Sequence, residues 1–72
     1  MRKFKRLRYR MLDFEMTQAE LARATGISEA TLTSRMQGRH PFTLWEVAAI
    51  CKVLDIPVSD IPEVFRDGLK SA

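Results

Sequence analysis

The chain has 72 residues, which is enough for one small domain and no more. Cys51 is the only cysteine and His40 the only histidine, so neither a disulfide nor a Cys/His metal cluster supports the core, and we expect no metal and no cofactor. A lone cysteine fits a reducing cytoplasm. No stretch approaches the roughly 18 apolar residues of a membrane span, so we expect no transmembrane helix. No uninterrupted apolar stretch follows the basic N-terminus, so we do not expect a signal peptide.

Positive charge is concentrated at the N-terminal end. The net charge is +3, but the first ten residues carry six basic side chains and no acidic one, whereas the remainder carries six basic and nine acidic side chains. The six are Arg2, Lys3, Lys5, Arg6, Arg8 and Arg10. Segment 1–10 is therefore predicted either to contact nucleic-acid phosphate or to be a solvated tail, and charge alone does not choose between the two.

Helical periodicity dominates the chain, and no stretch alternates as a strand does. The first helix is predicted over residues 3–14. Its apolar stripe consists of Phe4, Leu7, Met11 and Leu12. The second helix begins after Thr17, which pairs with Glu20 in a capping box, and it ends at Gly26 in the manner of a left-handed cap.

The third and fourth helices have equally clear signals at their ends. The third begins at Ser28, its predicted N-cap, and runs to about Gln37, where Gly38 stops it. The fourth begins with a second capping box, formed by Thr43 and Glu46. Its predicted inner face consists of Leu44, Val47, Ala48, Cys51 and Leu54.

A short fifth helix is predicted near the end of the chain. Ser59 or Asp60 caps it, and Gly68 ends it. The apolar residues that it carries are Ile61, Val64 and Phe65. Trp45 lies off the inner stripe of the fourth helix, and we expect it at the edge of the core.

A very short turn around Gly26 joins the second and third helices. Such a turn holds two helices at a large angle, so that the second projects from the body, as it does in units that place this helix in the DNA major groove. Ala22 is small where the helices approach each other, and Leu32 points to the core. The same helix pair also occurs in plain helical bundles, so periodicity alone leaves the function open.

The stretch TQAELARATGISEATLTSRMQG, residues 17–38, is similar to the helix-turn-helix of the Cro and lambda-repressor group, also called XRE-type regulators. The similarity continues through FTLWEVAAICKVLDIPVSDI, residues 42–61, which resembles the fourth helix and the start of the fifth in that group. Small phage-associated regulators often have this form. The resemblance implies an all-α fold, a compact bundle of five short helices, in which residues 1–72 form a single DNA-binding domain with its helix-turn-helix at about 17–37.

The resemblance also implies roles for individual residues. The recognition helix, residues 28–37, would enter the major groove. The candidates for base contacts on its outward face are Glu29, Ala30, Thr33 and Ser34. Gln18 would hold a phosphate and brace this helix, and Arg39 would reach a phosphate or a base. The remaining candidates for backbone contact or support are Thr17, Ser28, Thr31 and Gln37. For Glu29 two roles stay open, because its carboxylate can accept from cytosine N4 or simply favour the helix dipole.

The chain departs from the pattern of that group in two ways. Arg35 stands where an aliphatic residue is usual, and Met36 follows it. Some relatives tie the first helix to the third with an Arg–Glu ion pair, whose matching positions here are Met11 and Met36. We expect packing to replace the ion pair, since such replacements are often neutral or stabilising.

One recognition helix reads only a few base pairs, so we expect a homodimer, at least on DNA, bound to a pseudo-palindromic operator. The candidate dimer surface consists of Ile56, Val58, Phe65 and Leu69. For Phe65 taken alone, a place at the bottom of the bundle is the preferred alternative.

The functional prediction is a sequence-specific regulator of transcription that binds double-stranded DNA, either a repressor or a Cro-like switch protein. The alternative is a protein-interaction module of the same fold, such as an antitoxin-type partner that uses the fifth helix and Trp45. An enzyme is not predicted, because the sequence has no nucleophile–base pair, metal cluster or phosphate-binding glycine loop. We accordingly expect no small-molecule substrate.

Overall fold

The computed structural model describes residues 3–65, and over that range the fold is all-helical. The helices are α1 at Lys5–Asp13, α2 at Gln18–Thr25, α3 at Glu29–Met36, α4 at Leu44–Val53 and α5 at Ile61–Val64. A 3₁₀ turn at Val58–Asp60 leads into α5. The predicted all-α bundle of five short helices is confirmed. No helix within residues 3–65 is long and apolar enough to cross a membrane.

One core unites the helices. Helix α2 packs against both α3 and α4, while α1 packs against α5. The buried apolar residues are Phe4, Leu7, Met11, Leu21, Ala22, Ile27, Leu32, Met36, Ile50, Leu54, Ile56 and Phe65. The predicted stripe of α1 holds except at Leu12, which is 73% exposed. Leu12 follows Met11 by a single residue, and that step turns the side chain about 100° around the helix, away from the core.

The N-termini of α2 and α4 carry the predicted capping boxes. In α2, the Glu20 amide donates to Thr17 Oγ1 at 3.2 Å, and the Thr17 amide donates to Glu20 Oε1 at 2.8 Å. In α4, the Glu46 amide donates to Thr43 Oγ1 at 3.3 Å, and the Thr43 amide donates to Glu46 Oε1 at 2.9 Å. Each box satisfies two backbone N–H groups that have no partner inside their own helix.

Four helices end in residues of left-handed backbone conformation. Gly26 and Gly38, at φ values of 80° and 79°, end α2 and α3 as predicted. Glu15 and Asp55, at 52° and 53°, take the same conformation after α1 and α4. A side chain at such a position is strained by about 1–2 kcal/mol, so these two helices end at a local energetic cost.

The inward face of α4 differs from the prediction. Leu44 is 87% exposed and Ala48 is exposed, whereas Glu46 and Ile50 are buried. The other predicted members pack in or against the core, namely Val47, Cys51 and Leu54. The apolar pattern misplaced the face because it took no account of Glu46, whose carboxylate turns inward to meet Arg35 of α3.

The fifth helix begins without the predicted side-chain cap. Neither Ser59 nor Asp60 forms a capping hydrogen bond. Instead, the Asp60 amide donates to the carbonyl oxygen of Pro57 at 2.9 Å, so the chain enters α5 directly from the 3₁₀ turn. Pro62 lies in the first turn, where its missing N–H leaves no hydrogen bond unmade. The predicted end at Gly68 lies outside the described residues.

Burial corrects three further expectations. Trp45 is 56% exposed rather than at the edge of the core. Ile56 and Phe65, candidates for the dimer surface, are 6% and 1% exposed, so the core already buries them and they cannot form that surface. Val58 is 82% exposed, and Leu69 lies outside the described residues.

Three phenylalanine rings explain why Phe65 is buried. The ring of Phe42 stacks edge-to-face on that of Phe4, with ring centroids 5.2 Å apart, and on that of Phe65, at 5.3 Å. Edge-to-face pairs of this kind contribute about 0.5–1.5 kcal/mol beyond their buried area. The cluster joins the start of α1, the loop before α4 and the end of α5, in agreement with the alternative for Phe65.

Candidate nucleic-acid interface

The turn between α2 and α3 is closed by local hydrogen bonds. The Gly26 amide donates to the carbonyl oxygen of Ala22 at 2.9 Å, and the Thr25 hydroxyl donates to that of Leu21 at 2.8 Å. Ile27 is 4% exposed and anchors the turn in the core. Ala22 is 4% exposed, as expected of a small residue between packed helices. The turn is therefore held by hydrogen bonds within α2 and by burial of Ile27 and Ala22.

The N-terminus of α3 is ordered by Ser28 and Thr31. The Thr31 amide donates to Ser28 Oγ at 3.1 Å, which is the predicted N-cap. The Ser28 hydroxyl in turn donates to Thr31 Oγ1 at 2.8 Å. These bonds cap the first turn of α3, and the predicted contact of both residues with the DNA backbone, or their support of the interface, stays a prediction.

The two sides of α3 differ sharply in burial. Leu32 and Met36 are 0% and 1% exposed and hold the helix to the core. Two of the base-contact candidates, Glu29 and Ala30, are exposed. The other two, Thr33 and Ser34, are half-buried. Among the residues predicted to contact bases, those in the first turn of α3 are therefore the most exposed.

Gln18 and Thr33 join the two helices of the unit. The Thr33 hydroxyl donates to the side-chain carbonyl oxygen of Gln18 at 3.3 Å. This bond is a brace between the start of α2 and the middle of α3, which is one of the two roles implied for Gln18. It uses the carbonyl oxygen of Gln18 and leaves its NH₂ group to donate to another acceptor, such as a phosphate oxygen.

The C-terminal end of α3 meets the basic N-terminal segment. The Arg39 amide donates to the Ser34 carbonyl at 3.1 Å across Gly38, while Gln37 and Arg39 are exposed. The side chain of Lys3 lies over Gly38 so closely that a Cβ there would be 2.6 Å from Lys3 Cδ. A basic residue of the first segment therefore lies against Gly38, which follows α3 and precedes Arg39 in the chain.

The three arginines of the basic segment that lie within residues 3–65 all have partners in the fold. Arg8 Nε donates to the carbonyl oxygen of Lys3 at 3.0 Å. The Arg10 guanidinium donates to the carbonyl oxygens of Leu54, at 3.0 Å, and of Asp55, at 2.6 Å, and so satisfies carbonyls at the end of α4. Arg6 forms an exposed ion pair with Glu63 of α5 at 2.9 Å. The basic side chains of segment 1–10, which the sequence analysis considered together, therefore differ in whether they are already paired within the fold.

Sequence reasoning missed the ion pair between Arg35 and Glu46. Arg35 Nε lies 2.9 Å from Glu46 Oε1, and Arg35 Nη2 lies 3.3 Å from Oε2. Burial by itself would raise the pKa of Glu46, but the hydrogen bonds from Arg35 and from the Thr43 amide, with the positive charge of Arg35, outweigh it and lower that pKa. The carboxylate is therefore charged although it is 2% exposed. The sequence held a signal for each partner, the second capping box for Glu46 and the unusual arginine at position 35, but nothing that joined the two.

Comparison with known proteins identifies a family. The family model of the Cro/C1-type helix-turn-helix DNA-binding domain matches residues 6–67. No curated protein matches the chain. The matched range includes α2 to α5 and all of α1 except Lys5, but it leaves out Lys3 and the start of the basic segment.

Proposed function

We propose that this chain, which belongs to the family of Cro/C1-type helix-turn-helix DNA-binding domains, reads a defined sequence of double-stranded DNA and represses or switches transcription there. Family membership makes it a DNA-binding domain with a part in transcription regulation. The finer function that we propose is that of a sequence-specific repressor or Cro-like switch protein, which acts in the cytoplasm without a catalytic step. The whole chain, residues 1–72, acts in it as a single domain.

One observation carries the proposal. Helix α3 follows a tight turn, buries Leu32 and Met36, and leaves Glu29 and Ala30 exposed at its first turn. Recognition helices of this kind present their N-terminal residues to base edges in the major groove. Glu29, Ala30 and Ser34 are the proposed base contacts, with Thr33 acting mainly through its hydrogen bond to α2.

The residues around α3 are proposed to hold the duplex backbone. Gln18 and Arg39 bind phosphate from the two ends of the unit, and Gln37 supports the second of these contacts. Thr17, Ser28 and Thr31 support the interface through the caps of α2 and α3. Contacts of this type fix the register of the protein on DNA but do not read its sequence.

The experiment is selection of bound sequences from random duplex DNA, carried out with the wild-type chain and with Glu29→Gln and Ser34→Ala. We expect the wild type to enrich one motif and each variant to change the preferred base at one position, at a cost of about 1–3 kcal/mol for the original base. Lys52→Gln, at an exposed residue in the last turn of α4, is the control that keeps the wild-type motif. Absence of any enriched motif would refute sequence-specific binding, and unchanged motifs in both α3 variants would refute the assigned contacts.

Exposed apolar side chains support a second proposal, that two copies act together. Val58 is 82% exposed, and Leu44 and Trp45 at the start of α4 are 87% and 56% exposed. Contiguous exposed apolar side chains are typical of surfaces that bind another protein, and Leu44 and Trp45 are neighbours in the chain. A homodimer on a pseudo-palindromic operator would place two copies of α3 roughly 34 Å apart on one face of the duplex.

The same exposed residues also favour the alternative, a protein-interaction module such as an antitoxin-type partner. Salt dependence separates this alternative from DNA binding. Affinity for duplex DNA falls steeply with salt, because phosphate neutralisation releases counterions. Absence of salt-dependent duplex binding would favour the protein-interaction module.

A further inference from the structure

The ion pair between Arg35 and Glu46 lies at the junction of α3 and α4. Arg35 is in the last turn of α3, and Glu46 is in the first turn of α4. Two nitrogens of the guanidinium meet two oxygens of the carboxylate, at 2.9 and 3.3 Å. The Arg35 side chain is 18% exposed and that of Glu46 is 3% exposed, so the pair is largely removed from water.

Stability alone does not account for this pair. A buried ion pair is often no more stabilising than apolar residues of similar volume, because the attraction of the charges only repays their loss of hydration. A two-point guanidinium–carboxylate contact does fix the relative orientation of its two side chains, because the planar guanidinium and the carboxylate must align to form both hydrogen bonds. Glu46 is itself fixed, because the Thr43 amide donates to its Oε1 at 2.9 Å. The carboxylate is thus a rigid attachment point for Arg35.

Helix α3 needs such an attachment. Its other anchors to the core are Leu32 and Met36, and apolar contacts are not directional. A single neutral hydrogen bond, from Thr33 to Gln18, joins it to α2. Within residues 3–65, the Arg35 contact is the one ion pair that joins α3 to another helix. The helix is therefore held by one polar contact on its α2 side and one on its α4 side.

We propose that Arg35 and Glu46 are positioning residues, which set the rotation of α3 about its axis and thereby determine how strictly its outward side chains discriminate between DNA sequences. This inference rests on the proposed function. In this proposal neither residue contacts DNA itself. Their effect reaches the bases through Glu29, Ala30 and Ser34, which are carried by the same helix.

The test compares two variants with the wild type. Arg35→Lys keeps the positive charge but cannot form the two-point contact. Arg35→Met with Glu46→Gln removes both charges and keeps an acceptor for the Thr43 amide. For each protein, thermal unfolding is measured, together with affinities for the selected site and for a scrambled duplex over a range of salt concentrations.

We expect both variants to fold and to bind the scrambled duplex with the affinity and salt slope of the wild type. The affinity ratio between selected and scrambled duplex should fall about tenfold, which is the usual effect of removing one base contact. A partly unfolded protein would lose affinity for both duplexes equally, so the ratio isolates positioning from stability.

Three results would overturn the inference. An unchanged ratio in both folded variants would mean that the pair does not set discrimination. Equal loss on both duplexes with a lower salt slope in the uncharged variant would mean that Arg35 binds phosphate directly. Loss of the fold in both variants would assign the pair to stability. If the wild type itself does not discriminate between the duplexes, the proposed function fails instead.

Discussion

Glu15 occupies a backbone conformation that favours glycine. Its φ is 52°, at the position where α1 ends. We expect Glu15→Gly to raise the free energy of unfolding by about 0.5–1 kcal/mol, because relief of left-handed strain, about 1–2 kcal/mol, exceeds the backbone entropy that glycine loses. Chemical denaturation measures this change. Glu15→Ala is the control, since it removes the same charge but keeps a Cβ, and its stability should stay close to that of the wild type. Equal stabilisation by both variants would mean that charge, not backbone strain, is responsible.

Glu46 gives stability a dependence on pH. Its pKa in the folded state is lowered below 4.5, the value of an unperturbed carboxyl, so the folded protein binds its proton less readily than the unfolded chain does. A lowered folded pKa contributes stability that is present above about pH 4.5 and is lost as the pH falls through the folded pKa. We therefore expect the free energy of unfolding to decrease as the pH falls below 4.5.

The variant Arg35→Met with Glu46→Gln removes this carboxyl and serves as the comparison. Its free energy of unfolding should fall less steeply over the same pH range, because the remaining acidic groups alone contribute. Glu20, whose pKa is lowered by its hydrogen bonds with the backbone and side chain of Thr17, is unchanged in both proteins and cancels in the comparison. Identical slopes would show that Glu46 does not contribute to acid unfolding.

At the scale of the helix, the ends were more predictable than the faces. The caps at Thr17, Ser28 and Thr43 depend on residues three positions apart, which a sequence displays directly. The inward face of α4 depends on a contact between residues 35 and 46, in two different helices, and an apolar pattern contains no information about it. The predicted side-chain cap of α5 was wrong for a related reason. The preceding 3₁₀ turn supplies a backbone hydrogen bond that makes such a cap unnecessary.

The capping box of α2 provides a prediction for a whole element. Thr17→Ala removes the acceptor for the Glu20 amide, and we expect it to lower the free energy of unfolding by about 1 kcal/mol. Thr17→Ser keeps the hydroxyl and should have little effect. Thermal denaturation of the three proteins measures the difference. Equal loss in the serine variant would show that the threonine methyl group, rather than the cap, stabilises this helix.

For the molecule as a whole, the sequence predicted which residues of α3 are exposed better than it predicted which basic side chains remain unpaired. The exposed first turn of α3 follows from local periodicity, since Leu32 and Met36 bury one side of the helix. The uses of Arg10 and Arg6 do not follow, because their partners lie more than forty residues away in the chain, at the end of α4 and in α5. A count of basic residues therefore overestimates the charge that is available to phosphate.

The described cations left for DNA include Lys3 and Lys5, which are both exposed. Lys3 lies over Gly38, beside the end of α3. We expect Lys3→Gln with Lys5→Gln to weaken binding to every duplex similarly. The fall of log affinity with log salt should become less steep, by about 1–2 in slope, because each phosphate that is no longer neutralised keeps its counterions. The control is Arg6→Gln, whose guanidinium is already paired with Glu63 and whose loss should change the slope less. An unaltered slope in the lysine variant would mean that Lys3 and Lys5 do not bind phosphate. A solvated tail is already excluded for this segment, because α1 begins at Lys5 and Phe4 and Leu7 are buried in the core.

Assembly on DNA is the largest-scale consequence of the exposed surface. Burial of Ile56 and Phe65 leaves Val58 as the one proposed dimer residue that is exposed within the described part of the chain. Burying a valine contributes about 1.5 kcal/mol, and a change of about 1.4 kcal/mol alters affinity tenfold. We therefore expect Val58→Asp to leave binding to a single half-site unchanged but to weaken binding of the second copy to a full site by about tenfold or more.

Leu12 offers a matched control for this prediction, because it is also a large exposed apolar residue, at 73%, but lies on α1. Leu12→Asp adds the same charge and should leave the binding of both copies unchanged. Native mass spectrometry on the selected site counts the chains bound, and titration of half-sites and full sites separates the two affinities. Two chains on a symmetric site, with the loss confined to the Val58 variant, are the expected result. One chain per site, with no symmetry in the selected sequence, would exclude the dimer. Equal weakening in both variants would mean that the added carboxylate repels DNA phosphate, and not that the interface between subunits is weaker.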